Sequence, residues 1–136
     1  MKKYLLFFLC AFTYCSLYGQ TTFTSVADGN WGDCTTWGTC PGTTPGTDWP
    51  ATGDKAIIAE ATIVAVAVNQ TCSLLTVNGD DSFNSGLTVN SGVVLTVENE
   101  WQVDSKTDDG ELTITIIGTV NVADDLDVNI TNSGFT

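Results

Sequence analysis

The chain has 136 residues, with 16 Asp and Glu set against four Lys, and it contains neither His nor Arg. That balance excludes nucleic acid as a partner and gives no attraction to anionic membrane surfaces, because neutralising phosphates takes clustered Lys or Arg. The length suits one domain after any leader is removed.

Residues 1–19 have the layout of a secretory signal peptide. Lys2 and Lys3 make a basic start, Tyr4 to Cys15 form an apolar run, and Ser16 to Gly19 offer a cleavage region ahead of Gln20. The run is too short to span a bilayer. Export would place the chain outside the cell or at its surface, with no membrane insertion after cleavage. Only Lys55 and Lys106 then remain to offset the carboxylates. Such a charge favours solubility and is compatible with loosely held divalent cations.

Residues 20–61 read as an N-terminal cap and a first strand. Trp31, Trp37, Trp49, Pro41, Pro45 and Pro50 crowd into this stretch with many Gly and Thr, which predicts turns and irregular loop. Large aromatics in such a region usually pack on the end of a core. Trp31 and Trp37 are also the candidate contacts for a glycan, since aromatic faces stack on sugars.

From residue 55 the pattern has period two. Val64, Val66 and Val68 alternate with smaller residues, and the runs Leu74–Gly79 and Gly86–Gly92 follow with turn signals at Asn78-Gly79 and Ser91-Gly92. β-Branched residues dominate, so these are strands and almost no helix is expected.

The C-terminal half repeats with a period of about 25 residues. Aligned without gaps, Leu87 falls on Leu112, Val89 on Ile114, Leu95 on Val120, Val97 on Val122, Trp101 on Leu126 and Val103 on Val128. One unit earlier, Val64 would meet Val89 and Cys72 would meet Val97, while Leu75 and Val77 fall one residue short of Trp101 and Val103. Three short apolar pairs per unit predict an all-β fold, a right-handed parallel β-helix of three coils over 62–86, 87–111 and 112–136. A two-sheet β-sandwich is the competing architecture. Inward positions are Leu87, Val89, Leu95, Val97, Trp101 and Val103, then Leu112, Ile114, Val120, Val122, Leu126 and Val128. No capping element follows the last coil, so self-association through the coil ends, or continuation into a longer protein, is expected.

Cys34, Cys40 and Cys72 remain after cleavage, and an exported chain permits a disulfide. Cys40–Cys72 is the expected pair, because Cys72 opens an apolar strand and Cys40 lies in a loop that needs tethering; Cys34–Cys40 is the alternative. A zinc site finds no His and no matching Cys spacing.

Acidic pairs occur at Asp80-Asp81, Asp108-Asp109 and Asp124-Asp125, with Asp127 nearby. They read first as turn residues. The repeat also stacks Asn99 and Glu100 beneath Asp124 and Asp125, which makes Asp124, Asp125 and Glu100 the candidate Ca²⁺ ligands and Ca²⁺ the only candidate cofactor. No catalytic constellation is visible: Ser or Cys nucleophiles lack a His base, and Lys106 is the only basic side chain in the coils. A non-catalytic protein is expected.

The residues Asn30, Trp31, Thr36, Trp37, Cys40, Asp54 and Cys72, with the run Leu75-Thr76-Val77-Asn78-Gly79, together resemble the N-terminal region of secreted surface proteins of Bacteroidetes-type bacteria. Related all-β modules are called G8-like domains. The resemblance covers most of the chain after the leader. It implies an adhesin-like protein, export by a type IX route and, again, Cys40–Cys72. The pattern usually carries a His in its first valine-rich strand region, where this chain has Glu60-Ala61-Thr62, so no role tied to that His carries over. The expected function is a structural, adhesin-like solenoid segment, either the beginning of a larger surface protein or a self-stacking unit. A polysaccharide-binding module, or a non-catalytic part of a polysaccharide-degrading enzyme, is the alternative.

Overall fold

A computed structural model describes residues 19–79, 83–106 and 111–131, with the side chains at 130 and 131 excepted. Residues 1–18 of the proposed leader, Asp80-Asp81 and Asp108-Asp109 lie outside the described residues. The elements are β1 (Thr22–Thr24), β2 (Gly29–Asn30), α1 (Cys34–Trp37), β3 (Lys55–Ile58), β4 (Ile63–Val66), β5 (Gln70–Cys72), β6 (Leu74–Gly79), β7 (Ser85–Val89), β8 (Val94–Val97), β9 (Glu100–Lys106), β10 (Leu112–Ile116), β11 (Thr119–Val122) and β12 (Asp125–Thr131). The single helical turn agrees with the expectation of almost no helix.

The strands form three sheets, ordered β1-β3-β6-β9-β12, β10-β7-β4-β2 and β11-β8-β5. Every strand pairing is parallel. From β3 onward the chain visits the first, second and third sheets in strict rotation. Among the described residues no strand pairs with its neighbour in sequence; each pairs with the strand one circuit away. The antiparallel hairpins of a sandwich are absent among the described residues, and that alternative falls. The cycle also starts earlier than expected, since β1, β2 and β3 already belong to the first two sheets. Residues 31–54 stand where later circuits carry a strand of the third sheet.

Period-two alternation directs one face of every strand inward. The inward residues stack in columns. One runs Phe23, Ala56, Leu75, Trp101, Leu126, and its neighbour runs Ile58, Val77, Val103, Val128. The second sheet contributes Val64, Leu87, Ile114 and Val66, Val89, Ile116. The third contributes Gln70, Leu95, Val120 and Cys72, Val97, Val122. These columns build one core, from Phe23 and Trp31 at one end to Val103 near the other.

The expected spacing holds in two sheets and slips in one. Val120 lies on Leu95, Val128 on Val103 and Leu126 on Trp101, as the repeat predicts. The offset between β6 and β9 is also as predicted. In the second sheet, however, Leu87 faces Ile114 rather than Leu112, and Val64 faces Leu87 rather than Val89. The coil boundary expected at 87 therefore falls inside β7. Unequal corners explain the slip. Residues 90–93 link β7 to β8, with Gly92 in the left-handed region at φ 75°, whereas Ile117 and Gly118 alone link β10 to β11. The short corner tucks against the long one, and a Cβ on Gly118 would lie 2.3 Å from the carbonyl oxygens of both Asn90 and Val93. A slip of two leaves each side chain on its original face, so the inward set survives it.

Corners are held by columns of their own. At the junction of the third and first sheets, the Ser73 N–H donates to the Asp54 carbonyl at 2.7 Å, Asn99 N–H to Ser73 at 2.9 Å and Asp124 N–H to Asn99 at 3.2 Å. At the junction of the first and second sheets, Ser25 Oγ and Thr62 Oγ1 lie 2.5 Å apart, Ser25 Oγ accepts the Ala59 N–H, and Ser85 Oγ accepts the Ala61 N–H at 2.9 Å. That last bond restrains Ala61, whose φ of 62° is costly for a residue with a Cβ.

Leu87 is fully buried in its column, whereas Val68 is 61% exposed at a corner. Leu87→Ala is expected to lower unfolding free energy by about 2–5 kcal/mol, and Val68→Ala by under about 0.5 kcal/mol, in urea titrations followed by circular dichroism. Equal losses would contradict the columnar core.

Candidate functional site

The Trp-rich segment is a plug. Trp31 is 0% and Trp37 4% exposed. Their rings meet edge to face at 5.3 Å, and Phe23 meets Trp37 at 6.4 Å. Trp31 Nε1–H donates to the Pro50 carbonyl at 3.0 Å, and Trp37 Nε1–H to the Trp31 carbonyl at 2.6 Å. Both polar handles are used internally and both faces are covered. The expectation that Trp31 and Trp37 contact a glycan is therefore corrected: the signal in the sequence was aromatic content, which does not distinguish a platform from a plug. Trp49 packs partly buried against the same core.

Buried carboxylates tie this plug to the strands. Asp54 accepts the Thr21 N–H at 3.3 Å and the Ala51 N–H at 3.0 Å. Asp48 accepts the Thr44 N–H at 2.7 Å, and its carboxylate fills the space where a Cβ on Gly42 would stand. The segment needs Gly at that position.

The disulfide joins Cys34 and Cys40, whose Cα atoms are 4.9 Å apart, and Cys72 is free and buried. The expected Cys40–Cys72 pair is overturned. The turn of α1 and the left-handed Gly38, at φ 69°, bring Cys34 and Cys40 together. Cys72 instead points inward in the column with Val97 and Val122. Burial pushes its thiol up from 9.0 to about 12, with the Glu98 and Asp54 carboxylates adding to the shift.

The acidic stack forms in the expected register, with Asp125 on Glu100 and the Asp124 N–H bonded to the Asn99 carbonyl at 3.2 Å. Glu100, Asp124 and Asp125 are all exposed. Among the described residues no group of three or more carboxylates or thiols stands close enough to hold a metal ion. The stack supplies two carboxylates in register and stops there.

A polar cleft of about 380 Å³ lies at the C-terminal ends of β6, β9 and β12, lined by Glu60, Asn78, Gly79, Asp104, Ser105, Lys106 and Asn129. Asn78, Asp104 and Asn129 occupy one outward column. Sequence reasoning missed it, although the repeat spacing of those three residues carried the signal. The cleft offers amide and carboxylate groups to a hydroxylated ligand, and Lys106 adds one cation. In β9, Trp101 Nε1 and Ser105 Oγ are buried without hydrogen-bond partners among the described residues.

No protein-family model matches the chain, and comparisons with characterised proteins and with solved structures give no match either. Among the described residues no helix is long and apolar enough to cross a membrane.

The Cys72 shift has a definite sign. An unfolded thiol ionises near 9.0, while the folded one keeps its proton to about 12. Its contribution is fully present below the lower value and is lost as pH rises through the window, by up to ~1.4 kcal/mol per pH unit. Cys72→Val is expected to flatten the alkaline fall in stability between those limits while changing little at neutral pH. Parallel falls in the two proteins would refute the assignment.

Proposed function

We propose that this chain is a non-catalytic structural segment of an extracellular or cell-surface protein, an adhesin-like right-handed parallel β-helix. The observation that carries the reading is a gradient of burial. In the column Phe23, Ala56, Leu75, Trp101, Leu126, exposure is 5%, 0%, 1% and 4%, then 52%. Residues with a circuit stacked on both sides are sealed and the one in the outermost described strand is not, so burial comes from stacking, as in repeat architectures. The rotation of the chain through three parallel sheets supports the coil, and the strong preference of parallel crossovers supports its right hand. The resemblance to G8-like regions of Bacteroidetes-type surface proteins agrees with this reading and brings the type IX route with it. The basic and apolar leader supports export, and a Cys34–Cys40 disulfide suits an oxidising compartment.

The cleft at Asp104 favours a second reading, attachment to surface polysaccharide. Polar side chains in one outward column suit the spaced hydroxyls of a sugar chain.

Two measurements test these readings. Expressed with its own leader in a Gram-negative host, the chain is expected outside the cytoplasm with Gln20 at its N-terminus, by mass spectrometry; an uncleaved cytoplasmic product counts against export. Incubated with a panel of neutral and acidic polysaccharides, with and without Ca²⁺, the purified chain is expected to release no new chain ends. Release that disappears in Asp104→Asn or Glu60→Gln would make it an enzyme. Binding without cleavage, lost in Asp104→Ala, would select the second reading.

A further inference from the structure

The cleft at the C-terminal ends of β6, β9 and β12 gathers polar groups that the ladder places side by side. Asn78, Asp104 and Asn129 lie in register on adjacent strands. Strand spacing sets their polar heads in a row, about 5 Å apart. Glu60 joins them from the corner between β3 and β4. The Ser85 hydroxyl fixes that corner by accepting the Ala61 N–H at 2.9 Å. The volume, about 380 Å³, falls within the range of small-ligand sites.

The floor of the cleft holds an unused hydroxyl. Ser105 is 3% exposed, and its Oγ has no hydrogen-bond partner among the described residues. In the ladder Ser105 sits over Gly79, and a Cβ on Gly79 would stand 3.0 Å from the Ser105 oxygen. Gly79 therefore leaves a notch, and the Ser105 hydroxyl is turned toward it. Both residues line the cleft. A hydroxyl buried without a partner is destabilising, and a ligand that hydrogen-bonds to it recovers the cost.

Charge narrows the ligand. Two carboxylates, Glu60 and Asp104, face the cleft against the single ammonium of Lys106, in a chain of formal charge −12. A uronate or sulfated sugar meets like charge both nearby and at a distance, whereas an ammonium is drawn in. We propose that the cleft takes a sugar bearing a free amino group. Asp104 and Glu60 receive its ammonium, Asn78 and Asn129 bond its hydroxyls, and Ser105 meets the deepest hydroxyl. This rests on the second reading above, attachment to polysaccharide, and names the sugar. Hydrogen bonds between ionised partners are the stronger kind, so the amino group dominates the affinity.

Titration calorimetry of the exported chain at about 0.15 M salt tests the assignment with three tetrasaccharides, of glucosamine, N-acetylglucosamine and galacturonate. The glucosamine tetramer is expected to bind at least about tenfold more tightly than the other two. Asp104→Asn is expected to remove most of that preference. Asp33→Asn, which neutralises one exposed carboxylate on the plug, is expected to change it less than about twofold. Ser105→Ala is expected to weaken binding about three- to tenfold while leaving the urea midpoint unchanged or raised, because it deletes an unpaired hydroxyl. A structural role for that hydroxyl would lower the midpoint instead. Unchanged affinity in either Asp104→Asn or Ser105→Ala overturns the proposal, as does tetralysine binding as tightly as the glucosamine tetramer. A preference for the acetylated or acidic tetramer overturns the amino-sugar assignment and leaves attachment standing. Failure to bind any of the three, or any longer polysaccharide, sinks both.

Discussion

Backbone pairing between successive circuits is the constraint on which this protein depends. Each strand finds its hydrogen-bond partners one turn of the chain away, in the same sheet and in parallel. No circuit satisfies its own N–H and C=O groups, so no circuit is stable by itself. The inward columns follow from this pairing, since residues brought into register by the backbone also stack their side chains. Each inward aliphatic is worth ~1.5–3 kcal/mol once covered above and below. Corners obey the same rule: Asp54, Ser73, Asn99 and Asp124 form a ladder of main-chain bonds down one junction.

The first and last described strands of the sheets sit in different surroundings. At the N-terminal end, residues 31–54 replace a strand with a knot of aromatics. Trp31 and Trp37 spend their N–H groups on Pro50 and Trp31 carbonyls, and Cys34–Cys40 closes the turn between them. Phe23, Trp31 and Trp37 are sealed there. At the other end, β12 leaves Leu126 and Val128 half in solvent and a seven-residue edge unpaired among the described residues. The proposed structural role rests on the pairing between circuits.

How much was legible beforehand depended on the range of the interaction. Leu95 over Val120 and Val103 over Val128 were readable because identical corner lengths preserve the repeat there. Leu87 over Ile114 was not, because the register depends on how a two-residue corner at Gly118 nests beneath a longer one. The packing of Trp31 and Trp37 on the end of the core was legible in the loop-rich composition, whereas the carbonyls that receive their N–H groups were not. The column Asn78, Asp104, Asn129 was present in the spacing but emerges as a cleft only when three strands lie side by side.

By itself, the sequence determined which face of each strand turns inward, the all-β class and the lack of any His or Arg side chain. These are local properties, set by alternation of side chains and by residue type. Tertiary structure alone decided the register in the second sheet, the choice of Cys40's partner and the seating of Cys72 in the core. Each of those depends on distances between segments far apart in the chain. A one-dimensional pattern repeats equally well at neighbouring even offsets, and only packing in three dimensions removes that degeneracy.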